Sequence, residues 1–179
     1  MHIFFLILTL LSSNVIASNG YVNYSARGIV DDEIANAIRP PRPPSATDLI
    51  NDINKNYPQK DKQIKYLDLS NNNMTVKGAT LIMNFCYHEL LNLEEINLSY
   101  NRIYEEPQNS IAFQRFEEEV LNLLREDIII DLTGNAIASP PWIESISFKL
   151  GRSPKIRWIP PEWRRSPTHP TQMNTFPRW

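Results

Sequence analysis

Between Ile64 and Ile137 apolar and polar positions alternate in short runs, and each run carries an asparagine two places before its end. The runs are IKYLDLSNNNM (residues 64–74), LEEINLSYNRI (93–103) and DIIIDLTGNAI (127–137). A period of two predicts a strand with one buried face. Leu67/Leu69, Ile96/Leu98 and Ile130/Leu132 then point to a core, and their neighbours point away. Between the runs the apolar spacing changes to three or four, the period of a helix. TVKGATLIMNFCYHELL places Thr75 as an N-cap before Val76, Ala79, Met83, Cys86 and Leu90. SIAFQRFEEEVLNLLRE places Ser110 before Ala112, Phe116, Val120 and Leu123/Leu124. SPPWIESISFKLG opens on Ser139 and a proline, presents Trp142, Ile143, Ile146 and Leu150, and stops at Gly151. An earlier helix is predicted to open at Thr47 in TDLINDINKNY, and a last strand in KIRWI, residues 155–159.

Equivalent positions recur after 29 residues (Leu67 to Ile96) and 34 residues (Ile96 to Ile130), within the range of stacked repeats. Asn72, Asn101 and Asn135 hold the same place in each unit. A chain that turns out of a parallel strand leaves backbone groups without sheet partners, at about 1–3 kcal/mol each if buried. An asparagine carries both donors and an acceptor, so it can pair with its own turn and with the next.

The pattern LxxLxLxxNxL is filled by Ile64, Leu67, Leu69, Asn72 and Met74, and again by Leu93, Ile96, Leu98, Asn101 and Ile103. It resembles leucine-rich repeats. A third copy puts Asp127 in the first leucine position, before Ile130, Leu132, Asn135 and Ile137. Gly78-Ala79, early in its helix, is similar to the ribonuclease-inhibitor type of repeat. The resemblance implies an α/β fold: a short solenoid over residues 47–160, with terminal caps, parallel strands on the concave side and helices on the convex side. The longer second interval places an insertion at EEPQN, residues 105–109, read as a loop bulge.

The ends differ from this body. An apolar run from Ile3 to Leu11, followed by Val15 and Ala17 at −3 and −1 before Ser18, reads as a signal peptide over residues 1–17. The run is too short to span a bilayer, which needs about 20 apolar residues. The expected location is extracellular or in a cell envelope; the alternative is a structural or adhesion protein anchored by an uncleaved segment. Residues 18–46, with RPPRPP at 39–44, are expected to be a flexible, proline-rich linker. Residues 47–150 hold nine Lys/Arg against sixteen Asp/Glu, whereas residues 151–179 hold six against one. An acidic body therefore precedes a basic end. Ile156, Trp158 and Ile159 are expected to cap the last coil, and residues 161–179 to form a disordered Trp/Pro-rich tail.

Candidate chemistry is sparse. Cys86 is the single cysteine, so no intrachain disulfide forms. Cys86 and His88 lie about 200° apart on a predicted helix and do not meet. No zinc spacing, phosphate loop or nucleophile elbow occurs, so no catalytic, cofactor or metal residue is assigned and no enzyme is expected. What remains is surface. Strand alternation puts Tyr66, Asp68 and Ser70, then Glu95, Asn97 and Ser99, then Ile129, Asp131 and Thr133 on the face away from the helices. The resemblance implies a non-enzymatic protein-interaction module using that face. Its middle column, Asp68, Asn97 and Asp131, is mostly acidic and suits a basic partner surface; a merely solvated face is the alternative. Neither a nucleic-acid partner nor stable membrane insertion is expected. Asn23-Tyr-Ser25, Asn73-Met-Thr75 and Asn97-Leu-Ser99 are glycosylation sequons, of which Asn97, inside a strand, is expected to be a poor acceptor.

Overall fold

Each of the three apolar pairs begins on a three-residue strand, and helices fill the segments between them. The computed structural model describes residues 20–38, 41–104, 110–137 and 140–159. In chain order the elements are β1 (Tyr21–Asn23), α1 (Asp32–Ala37), α2 (Ala46–Asn56), α3 (Lys60–Gln63), β2 (Tyr66–Asp68), α4 (Val76–Glu89), β3 (Glu95–Asn97), α5 (Ile111–Arg125), β4 (Ile129–Asp131), α6 (Pro140–Leu150) and β5 (Ile156–Arg157). The strands form one parallel sheet in the order β1-β2-β3-β4-β5. Register lines up Val22, Leu67, Ile96, Ile130 and Ile156, and the first four of that row are buried.

The helices close over this row with the predicted faces. Val76, Ala79, Met83, Cys86 and Leu90 of the α4 segment are all buried, as are Phe116, Val120, Leu123 and Leu124 of α5. The valine, leucine, methionine and phenylalanine side chains among them contribute about 1.5–3 kcal/mol each when fully buried. The Thr75 hydroxyl accepts from Lys77 N at 3.3 Å, and Ser110 from Phe113 N at 3.0 Å, so both predicted caps are made. The last helix begins at Pro140 and buries Trp142 and Ile146; Gly151, at φ 67°, ends it in the left-handed conformation that glycine tolerates. Beyond it Ile156 and Trp158 pack against the core, and Ile159 is half-buried.

The segment expected to be a linker is instead part of the sheet. Tyr21 pairs with Tyr66, and Val22, Ala35 and Ala46 are fully buried. Setting YVNYSARGI on YLDLSNNNM reveals a degenerate repeat: Val22 and Tyr24 replace the leucines, and Arg27 stands where the asparagine belongs. Its distance of 45 residues from the next copy also breaks the period. The proline-rich stretch is tied down where Val30 N donates to Pro44 O and Ala46 N to Val30 O, each at 3.0 Å. The next helix is capped by Ser45, not Thr47. Ser45 Oγ accepts from Asp48 N at 3.2 Å while Asp48 accepts from Ser45 N at 2.9 Å, a reciprocal box. The single turn α3 was not foreshadowed by the apolar pattern. The signal segment at 1–17, the insertion at 105–109, the cap at Ser139 and the tail at 161–179 lie outside the described residues.

Candidate functional site

The ladder asparagines stack on successive coils. Asn72 Oδ1 accepts from Arg27 N and Ile29 N, both at 3.0 Å, and its Nδ2 donates to Tyr24 O (3.0 Å) and Leu69 O (2.9 Å). Asn101 accepts from Met74 N at 3.1 Å and donates to Leu69 O and Leu98 O, both at 3.0 Å. Asn135 accepts from Ile103 N at 3.1 Å and donates to Leu98 O (2.8 Å) and Leu132 O (3.3 Å). Each amide therefore joins its own turn to the preceding coil rather than the next one, because its side chain reaches back toward the earlier strand. Asn72 and Asn135 are buried and Asn101 is half-buried. The residue before each ladder position is left-handed: Ala26 (φ 52°), Asn71 (55°), Tyr100 (56°) and Gly134 (85°). The shared conformation makes this one turn repeated four times.

A second ladder runs beside the first. Asn23, Asp68, Asn97 and Asp131 are in register, and each Oδ1 accepts from the amide two residues on: Ser25 N (2.8 Å), Ser70 N (3.0 Å), Ser99 N (3.0 Å) and Thr133 N (2.8 Å). These are Asx turns, in which a short side chain closes the bend after the strand. The middle column thus shapes the turn with one oxygen and displays the rest of its head group. Tyr66, Asp68, Glu95, Asn97, Ile129, Asp131 and Thr133 are half-exposed on this open face. Ser70 and Ser99 are not displayed; both are buried, because the bend carries them inward where simple alternation points them out. Three open-face residues escaped the sequence reading: Tyr21, Asn23 and Arg157. The signal for Asn23 was present, since Asn-x-Ser at 23 repeats Asp-x-Ser at 68 and Asn-x-Ser at 97.

The face is acidic but partly neutralised from within. Tyr21 O–H donates to Asp68 Oδ2 at 2.8 Å, and partial burial, with that bond second, pushes the Tyr21 phenol up to about 12. Arg157 pairs with Glu95 Oε1. At the flank, Lys65 Nζ and Tyr66 O–H both donate to Glu94, each at 2.7 Å; Lys65 first and Tyr66 second hold the Glu94 carboxyl below its usual range. Asp131 Oδ2 has no partner among the described residues. Outside the face, Asp127 is bridged by Arg152 at 2.9 Å and Lys155 at 2.5 Å. Three cations of the basic end are therefore spent on the acidic body.

Cys86 is fully buried, and burial pushes its thiol far above the ordinary value, which suits a core residue and not a nucleophile. Among the described residues no His/Cys/Asp/Glu group could hold a metal, and no helix is long and apolar enough to cross a membrane. A cleft of about 600 Å³ at the amino-terminal end is lined by Tyr24, Arg42, Asp48 and Asp52 among others. Its carboxylates are already bonded, Asp48 to Arg42 at 2.8 Å and Asp52 to Tyr24 at 2.5 Å.

The family model for the Leucine Rich Repeat matches residues 63–85 and 92–113. Neither the comparison with curated proteins nor that with solved structures found a match. The matched segments contain β2 with most of α4, and β3 with the start of α5; the parallel sheet continues on both sides of them. The fold is a short leucine-rich-repeat solenoid. Such repeats are generally protein-interaction modules without enzymatic activity.

Proposed function

We propose that this leucine-rich-repeat chain is an exported, non-enzymatic module that docks a protein with a basic surface on the concave, open face of its sheet. The observation that carries the reading is the in-register row Asp68, Asn97 and Asp131, held by backbone turns, with an uncommitted oxygen on Asp131. Charges fixed by a rigid backbone engage a partner without first being ordered, which lowers the cost of binding. A standard interface of about 800 Å² per partner would use most of so short a sheet. The placement of Gly78-Ala79 at the start of α4 favours the ribonuclease-inhibitor type of repeat. The amino-terminal sequence pattern favours export, and a mature chain beginning at Ser18, read by mass spectrometry, is the expected result.

The binding test uses D68N/D131N. Each new amide keeps the oxygen that closes the Asx turn and loses the charge, so folding and docking are separated. Retention of a partner from the extracellular or envelope fraction should fall about fivefold or more relative to the unaltered chain. Equal retention by both proteins overturns the reading.

A further inference from the structure

The concave-face pair between Arg157 and Glu95 joins strands that are not neighbours. Arg157 is in register with Asp131 on β4, yet its guanidinium passes that residue and reaches Glu95 on β3. Two strand spacings, about 9–10 Å, separate the two strands, and the path crosses β4 between Ile129 and Asp131. The partners differ in exposure: the Glu95 side chain is 21% exposed and that of Arg157 52%. A recessed carboxylate lies under a more exposed cation. Beside it Asp131 offers an oxygen without a partner among the described residues.

We infer that Arg157 is a resident counter-ion in a cation-binding recess made by Glu95 and Asp131, and that an arginine or lysine of the docking protein displaces it. This rests on the docking role proposed above and adds a regulation to it. A half-exposed pair holds its partners weakly, so exchange for an incoming guanidinium is cheap, and Arg157 lowers the affinity of every cationic partner that reaches the recess. Partners presenting one isolated charge are disfavoured against those that bring a second charge for Asp68.

The experiment is fluorescence anisotropy of a labelled nona-arginine peptide with the full chain at low salt. R157Q should tighten binding about three- to tenfold, R157K should stay near the unaltered protein, and R157Q/E95Q should lose the gain. Unchanged or weaker binding by R157Q, with D68N/D131N still weaker than the unaltered chain, sinks the displacement and leaves the docking role standing. If D68N/D131N binds as the unaltered chain does, both fall. A second readout needs no variant. Saturating peptide should move the Arg157 side-chain N–H resonance to its free position, and a resonance that stays put while the peptide is bound overturns the inference even if R157Q fails to fold.

Discussion

Asn135 and Asn101 do the same work at different depths, and that difference can be measured. Replacing Asn135 by alanine leaves Ile103 N without its partner in a buried turn, whereas Leu132 O keeps the backbone amide of residue 135 and Leu98 O retains the Asn101 amide. With one fully buried donor orphaned, Asn135→Ala should cost about 2–3 kcal/mol. Asn101→Ala should cost about 1–2 kcal/mol, because water can reach its half-open turn. Urea titrations should show both as shifts of midpoint at constant slope; equal losses would contradict an amide that acts through burial. The asparagines were legible in the sequence because little else supplies two donors and an acceptor on so short a side chain. Ser99 was misread for a related reason. Alternation describes a straight strand, while the bend that buries Ser99 is set by Asn97, one polar residue among many until the register is known.

At the scale of elements, the first coil is fastened by two consecutive carboxylates that cap two different helices. Asp31 accepts from Thr75 N (2.9 Å), Gly78 N (3.0 Å) and the Thr75 hydroxyl at the start of α4, and Asp32 from Thr47 N (3.0 Å) and Oγ1 (2.5 Å) at the start of α2. Negative charge is favourable at both places because free amides and the helix dipole point there. Gly78 makes the approach possible: a Cβ there would lie 2.3 Å from Asp31 Oδ1. Glycine to alanine inside a helix ordinarily gains about 1 kcal/mol. Here Gly78→Ala should instead cost about 1–3 kcal/mol by displacing the capping carboxylate, and the ordinary gain should return in a D31A background. A double-mutant cycle by urea unfolding checks this, and absence of coupling would refute it. Asp32 gives the acid signature. Burial works against its charge, but the Thr47 hydroxyl and amide, then Ser45, outweigh it and hold the carboxyl below 3.8. Its folded pKa is depressed, so its contribution is complete above 3.8 and is lost as pH falls through the lower folded value. The Thr47 amide shift should titrate with a midpoint below 3.8, and a midpoint at or above it would count against the cap. Of this coil only the helix in TDLINDINKNY was legible in the sequence; its strand, turn and capping carboxylates were not. Its ladder position holds Arg27, its left-handed position holds Ala26 (φ 52°), and RPPRPP drew the eye to a break.

For the whole molecule, stability is a matter of neighbours, since each coil of a solenoid is buried only by the coils beside it. The division between acidic body and basic end was countable in the sequence, but pairs such as Arg157 with Glu95, 62 residues apart, needed the register. The two ends of the stack are closed differently, by Ile156 and Trp158 at one and by the coil around β1 at the other. Removing the second closure is the sharpest test of the architecture. A chain beginning at Ala46 loses the buried side chains of Val22, Tyr24, Ile29 and Val30, and strips Asn72 of its partners at Tyr24, Arg27 and Ile29. At about 1.5–3 kcal/mol for each large apolar side chain, the packing loss alone is about 6–12 kcal/mol. That equals the whole net stability of an ordinary domain, about 5–15 kcal/mol. The truncated chain should therefore unfold, or associate through the uncovered edge of β2, as read by far-UV circular dichroism and light scattering after gel filtration. A folded monomer with an undiminished unfolding transition would return residues 20–45 to the status of a linker and leave β2 as the true first strand.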